Sequence, residues 1–207
     1  SDSLRMVFFL TIPTSVVIAF LSYPITSVIY QHGRFTALDT AAVGKALVLY
    51  VIGIPFMSGL RNAAAVFYAF KDPRTPMYAS FASIGVNLVL NIVLMRVMGF
   101  LAFPLSMTIA AVLNIVILFL LVPRKIGGMD FGPLTRYFMT LTAASVAGGL
   151  SGWLLYRFVF QPLGHSIWIR LAGVVVGGGA GLAIFYGLCL LFGVAEARDY
   201  LKRFVSR

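Results

Sequence analysis

Hydrophobic residues run along this chain in six long stretches, separated by short segments that carry most of the charged residues. A helix needs roughly 20 mostly apolar residues to cross a bilayer, and each stretch is at least that long. No Asp or Glu lies deep inside any of them. The pattern therefore predicts six membrane-spanning helices, over residues 4–30, 40–69, 76–98, 101–122, 134–160 and 167–192.

Composition supports an all-α integral membrane protein. Hydrophobic residues make up 60% of the chain and charged residues 11%, against about 25% charged residues in an ordinary soluble domain. The net charge of +10 comes from cations in short loops and in the tail. That placement favours membrane orientation and anionic headgroups as its cause, and we expect no nucleic-acid partner. The single cysteine, Cys189, excludes an internal disulfide and a thiolate metal cage.

The distribution of Lys and Arg predicts which side of the membrane each loop occupies. Six spans place both ends of the chain on one side. Ten cations fall on that side and five on the other, leaving out Arg61. Because cytoplasmic loops are enriched in Lys and Arg, we expect both ends of the chain in the cytoplasm. A basic cytoplasmic loop is predicted at 123–133, and an amphipathic tail on the inner membrane surface at 193–207.

Arg61 is the one ionisable residue placed well inside a predicted span. Thr36 and Asp39 have capping-box spacing and predict a helix from about Ala37 to Phe70. At about 50 Å this helix is longer than the hydrocarbon core, so it must tilt, protrude or break, and the Gly-Ile-Pro segment of residues 53–55 is its natural break. Arg61 lies just beyond that segment. An arginine at this depth costs several kcal/mol unless it meets water, a partner or the interface. Two interpretations stay open: a cation facing a polar cavity for an anionic group such as phosphate, or a side chain that snorkels to the cytoplasmic headgroups.

Asn87 and Asn91 are four residues apart and share one face of the third span. They predict either hydrogen-bonding contacts between helices or, together with Thr108 of the fourth span, an oxygen site for a small cation such as Na⁺. The sequence predicts no cofactor other than this possible Na⁺.

The last span carries Gly173, Gly177 and Gly181 in series, and the span before it has its own pair, Gly148 and Gly152. Such stripes favour close helix packing, with a shallow groove for an acyl chain as the alternative.

The sequence contains no motif that would indicate an enzyme. The chain has no glycine-rich phosphate loop, no HExxH and no GxSxG motif. His32 and His165 both fall in predicted outer loops, and neither has a second ligand at metal-binding spacing. We therefore expect no catalytic residues. The first residues contain no initiator methionine and no signal-peptide pattern, which indicates a fragment of a longer protein.

One region resembles a known family. The residues that carry the resemblance are Gln31-His32-Gly33-Arg34-Phe35-Thr36, Asp39-Thr40, Tyr50, Gly53, Phe67-Tyr68-Ala69, Asp72, Thr75-Pro76, Asn91 and Gly99. They are similar to the bacterial lipid II flippase family MurJ/MviN, within the superfamily of multidrug, oligosaccharidyl-lipid and polysaccharide exporters. The resemblance is specific mainly between about Ile12 and Asn114, and the last two spans match only as hydrophobic helices.

The resemblance implies the C-terminal half of an exporter fold. Residues 4–122 would be a four-helix part of the second transport lobe, and residues 134–192 would be two extra C-terminal helices beside a lipid-tail groove. Arg61 stands where many members carry Lys, which implies a substrate-binding cation. The face with Asn87 and Asn91 corresponds to a helix proposed to bind the coupling ion, although some members have a carboxylate at the position of Asn91.

The expected function is translocation of an undecaprenyl-pyrophosphate-linked peptidoglycan precursor across the cytoplasmic membrane by alternating access. Its partners would be lipid II or a similar lipid-linked substrate, membrane lipids and the N-terminal half of the same protein. Two alternatives stay open at this point. One is an exporter of another lipid-linked oligosaccharide or of a drug, and the other is a membrane scaffold that transports nothing.

Overall fold

The computed structural model of the chain describes residues 2–126, 132–164, 166–194 and 196–198. These residues form helices and connecting turns, with no β-strand among them. The long helices are α1 (Asp2–Phe20), α2 (Ser22–Tyr30), α3 (Ala37–Ala69), α4 (Arg74–Met98), α5 (Ala102–Ile126), α6 (Gly132–Leu155) and α7 (Ile167–Leu191). A 3₁₀ turn at Gly99–Leu101 joins α4 to α5, and a π-helical segment at Tyr156–Phe160 extends α6. The predicted all-helical class is confirmed.

The first predicted span is broken one turn before Pro24. The axes of α1 and α2 differ by 70°, and Leu21 lies between them. A proline has no N–H to donate, and its ring crowds the carbonyl four residues earlier, which here belongs to Phe20. The helix therefore ends at Phe20 and restarts at an angle. Pro13, by contrast, lies inside continuous α1.

The start of α3 follows the predicted capping box. Thr36 Oγ1 accepts a hydrogen bond from the Asp39 amide at 3.3 Å, and Asp39 Oδ2 accepts one from the Thr36 amide at 2.9 Å. The helix then continues for 33 residues through Pro55. Of the three expected outcomes, a break at residues 53–55 is therefore contradicted, and tilt or protrusion is left. Pro55 is buried, and α5 packs along α3. Neighbouring helices can hold a proline-containing helix together in a membrane bundle, at the expense of one hydrogen bond.

Helices α4 and α5 form an antiparallel hairpin. The chain reverses at Gly99, whose φ of +57° is a conformation that glycine adopts without strain. Across the pair, Asn114 Nδ2 donates to Ser80 Oγ at 3.4 Å. Residues 74–123 qualify as one of four membrane-spanning stretches, and the bent α1–α2 pair makes a fifth. Because the reversal separates α4 from α5, and each of these helices has 25 residues and is about 37 Å long, the described chain is long enough for six passes.

The main core joins helices distant in sequence. Phe8, Phe9 and Ile12 of α1 pack in one buried cluster with residues of α5, α6 and α7. Beyond α7, the chain turns back onto this cluster, where the Tyr186 hydroxyl donates to the carbonyl of Ala197 at 2.7 Å. Most of the predicted amphipathic tail, and residues 127–131 of the predicted basic loop, lie outside the described residues. α4 contacts mainly α5 and forms the edge of the bundle.

Candidate functional site

Arg61 lines a cavity between α3, α4 and α5. The cavity has a volume of about 300 Å³, and its walls include Tyr68 of α3, Pro76 and Ser80 of α4, and Leu118 of α5. The Arg61 side chain is exposed, and no ion pair reaches it among the described residues. Its guanidinium therefore keeps donors free toward the cavity, and an anion is the group that such donors bind best.

Asn87 and Asn91 lie together on α4, as their spacing predicts. Asn91 Nδ2 donates to Asn87 Oδ1 at 3.0 Å. Among the described residues, three oxygens of the α4–α5 pair are buried without a hydrogen-bond partner: Oδ1 of Asn91, Oγ of Ser106 and Oδ1 of Asn114. A buried oxygen without a partner is costly. The α4–α5 pair therefore has unused capacity to accept a cation or a hydrogen-bond donor.

Thr108 is directed toward α3. Its hydroxyl donates to the carbonyl of Leu49 at 2.6 Å. Gly53 makes this approach possible, because a Cβ at that position would lie 2.8 Å from Thr108 Oγ1. Thr108 thus fastens α5 to α3. A hydroxyl that donates one hydrogen bond still has oxygen lone pairs to offer, but the hydrogen bond of Thr108 goes to α3 and not to the asparagine pair.

The glycine stripe of α7 packs against α6 and its π-helical extension. A Cβ at Gly177 would lie 2.8 Å from the carbonyl oxygen of Gly152, and one at Gly181 would lie 2.8 Å from that of Gly148. A Cβ at Gly173 would meet the side chains of Tyr156 and Phe160, both at 2.8 Å. The glycines let the backbones of α6 and α7 come into contact, which supports the close-packing interpretation of Gly173, Gly177 and Gly181 over the lipid-tail groove.

A second polar cluster was missed by the sequence analysis. Arg170, at the start of α7, donates through Nη1 to Oε1 of Gln31 at 2.9 Å. The Arg157 guanidinium lies over the Trp153 ring, 5.7 Å from its centroid. Aromatic residues at the ends of these spans were the available signal, but nothing in the sequence relates Gln31 to Arg170, 139 residues away.

The fold and the polar groups described above define the class of protein. The structure is that of a polytopic helical membrane protein whose polar groups face an inter-helix cavity and a buried helix pair. Ionisable and polar side chains inside a bundle are typical of transport proteins. Among the described residues, no group of His, Cys, Asp and Glu is placed to hold a metal ion.

The comparisons with known proteins identify the family. The family described as "Lipid II flippase MurJ" matches residues 1–171, and the chain belongs to it. The match extends through α6 into the start of α7, further than the motifs indicated. That description is of a transporter and not of an enzyme.

Individual relatives agree. The chain is 31% identical over 197 residues to a protein from Rhizobium tropici named "Probable lipid II flippase MurJ", covering 93% of this chain and 36% of the relative. It is 29% identical over 207 residues to "Lipid II flippase MurJ" from Burkholderia cenocepacia, covering 97% of this chain and 39% of that protein. The chain thus spans well under half the length of these relatives.

A solved structure shares the fold. The structure titled "Lipid II flippase MurJ, inward closed conformation" superposes with a TM-score of 0.71 at 24% sequence identity. The superposition covers 97% of this chain and 39% of that one. The family and its apolar helices also make this a multi-pass protein of the bacterial inner membrane.

Proposed function

We propose that this chain is the C-terminal part of a flippase that moves lipid II, an undecaprenyl-pyrophosphate-linked peptidoglycan precursor, across the cytoplasmic membrane by alternating access. Family membership and the names of the relatives support the substrate class. Because the matched region is under half of each relative, the upstream half of the same protein would complete the transport lobes. The role would belong to peptidoglycan synthesis and hence to cell-wall growth and cell shape.

The observation that carries this proposal is the cationic cavity at Arg61. A pyrophosphate carries several negative charges, and a guanidinium binds phosphate oxygens through paired N–H donors. Arg61 is exposed to a cavity of about 300 Å³ and has no carboxylate competing for it among the described residues. A binding cation that must release its ligand after each cycle needs this accessibility, which a fully buried ion pair lacks.

Arg61→Ala in the full-length protein should weaken lipid II binding and slow flipping. Charge-assisted hydrogen bonds contribute about 1.5–3 kcal/mol, so the loss should be roughly ten- to hundredfold. Arg61→Lys keeps the charge and should retain a large part of the activity. The measurements are flipping in reconstituted vesicles and growth of cells that depend on the variant, at equal expression.

Arg96→Ala is the matched control, because Arg96 is also an exposed arginine of this bundle but lies at the far end of α4. It should behave like the wild type. If Arg61→Ala also performs like the wild type, Arg61 only anchors its helix at the headgroups. If the protein were a non-transporting scaffold, Arg61→Ala would likewise not differ from the wild type. If it were an exporter of another lipid-linked substrate, Arg61→Ala would lose transport of that substrate alone.

The coupling ion is assigned to the α4–α5 pair in this proposal. Na⁺ prefers oxygen ligands, and the unpartnered Oδ1 of Asn91 beside Asn87 offers them. Thr108, the third residue expected from the sequence, is not assigned as a ligand, because its hydroxyl donates to the carbonyl of Leu49 on α3.

Orientation follows from the charge distribution. We propose that both ends of the described chain face the cytoplasm, in agreement with the excess of Lys and Arg on that side. In this orientation, the loop between α5 and α6 is cytoplasmic. Membrane lipids would surround the exposed apolar faces, of which α4 has the most extensive, with Phe81, Leu88 and Val97 between 60% and 81% exposed.

A further inference from the structure

Two adjoining cavities lie at the end of the bundle where α2 ends and α7 begins. Their volumes are about 250 and 300 Å³, and they share Tyr23, Tyr156 and Gln161 in their walls. Together they form one site, the bend pocket. Its polar residues are Tyr23, Gln31, Tyr156, Arg157, Gln161 and Arg170.

The backbone is irregular on both sides of the bend pocket. On one side, α1 gives way to α2 with a change of direction of 70°. On the other side, α6 changes into a π-helix over Tyr156–Phe160. π-Helical segments are rare and occur often at functional sites. Tyr23 of α2 and Tyr156 of the π-helix both line the bend pocket.

Two arginines in the bend pocket have hydrogen-bonding capacity to spare. Arg170 donates from Nη1 to Gln31 Oε1, and Arg157 stacks over Trp153. Neither makes an ion pair with a carboxylate in the part of the chain that the structure describes. Each guanidinium has five N–H donors. Arg157 lines one of the two adjoining cavities and Arg170 the other, and most of the donors of both are unused.

We propose that the bend pocket binds the phosphate of an anionic phospholipid headgroup. Paired N–H donors of arginine suit phosphate oxygens. Tyr23, Trp153 and Tyr156 are of the aromatic type that concentrates at headgroup level. Beside them, Leu154 and Phe158 expose apolar surface along which acyl chains would lie, at 38% and 69% exposure. With the proposed orientation this site belongs to the outer leaflet, and it is separate from the Arg61 cavity, so its failure would leave the proposed transport function untouched.

The test uses full-length protein in which Trp153 is the sole tryptophan, in vesicles that mix phosphatidylcholine with brominated phosphatidylglycerol. Bromine quenches tryptophan fluorescence only at close range, so quenching against composition gives the relative affinity of the lipid beside Trp153. The unmodified pocket should prefer phosphatidylglycerol by about tenfold, the size of a charge-assisted hydrogen bond. Arg157→Gln and Arg170→Gln should each remove most of that preference, and Arg157→Lys should keep part of it.

Arg34→Gln is the matched control, since Arg34 is an exposed arginine in the turn after α2 but does not line the bend pocket. It should leave the preference unchanged. An equal loss in Arg34→Gln, or no preference in the unmodified pocket, would overturn the proposal. So would removal of the preference by millimolar inorganic phosphate, which would identify a soluble anion as the occupant. If Arg170→Gln does not fold, Arg157→Gln decides alone, because Arg157 is exposed.

Discussion

Replacing Gly177 with Leu is expected to lower the stability of the folded protein by roughly 3 kcal/mol or more, at the upper end of overpacking effects. The cause is the approach of α7 to α6, where even a Cβ at Gly177 would lie 2.8 Å from the carbonyl oxygen of Gly152. The clashing atom belongs to a helix backbone, so no rotamer change relieves it. The two helices must separate, and the buried contacts around Phe185 and Cys189 would be lost with them.

Gly179→Leu provides the matched control on the same helix. No atom lies within 4 Å of a Cβ at Gly179, so the added side chain would meet only the surroundings of the bundle. It should leave the thermal unfolding midpoint close to that of the wild type. Thermal unfolding and lipid II binding should be measured together for both variants. A stable Gly177→Leu protein that has lost lipid binding would contradict the packing interpretation and restore the groove.

Asn91→Leu is expected to abolish any sodium dependence of transport while the protein still folds. The substitution removes the buried Oδ1 that has no hydrogen-bond partner, which is the ligand oxygen most available to a cation. It also removes the hydrogen bond to Asn87 at 3.0 Å. Hydrogen bonds between side chains in membrane bundles contribute about 0.6–2 kcal/mol, so the stability loss should be modest. Flipping should be measured over a range of sodium concentrations at constant ionic strength.

Asn62→Leu is the control for the loss of a carboxamide. Asn62 lies on α3, where its Nδ2 donates to the carbonyl of Ser58 at 3.3 Å, away from the α4–α5 pair. Sodium dependence should survive in this variant. If it also survives unchanged in Asn91→Leu, the asparagine pair serves only to hold helices together, and the coupling ion binds elsewhere.

The helices themselves could be predicted from the sequence because membrane spans depend on local composition. A run of about 20 apolar residues must form a helix in lipid, since every backbone N–H and C=O has to be satisfied within the segment. The start of α3 also depends on neighbouring residues alone, because the side chains of Thr36 and Asp39 each accept a hydrogen bond from the backbone amide of the other. Pro24 also acted locally, through the carbonyl of Phe20. Pro55 did not break α3, because its effect depends on the helix packed beside it.

The sites depended on the partners that each side chain meets. Asn87 and Asn91 lie together as predicted, because residues four apart are on the same face of a helix. Thr108 did not join them, since its hydroxyl finds the carbonyl of Leu49 on a third helix. The glycine stripe had two interpretations that differ only in what faces it, and α6 faces it. The family motifs predicted the class of function, but they did not indicate which helices Thr108 and the glycine stripe contact.

The sequence by itself determined the all-helical membrane class, the glycine and asparagine faces and the family, because each depends on residues close together in the chain or on motif residues. Only the tertiary structure decided which face meets another helix and which meets a cavity. Gln31 and Arg170 show the reason. They are 139 residues apart and share a pocket only because α2 turns by 70° and α7 begins beside its end. Lipid is as apolar as the helix surfaces, so hydrophobicity does not select partners there, and packing shape and a few polar contacts decide the arrangement.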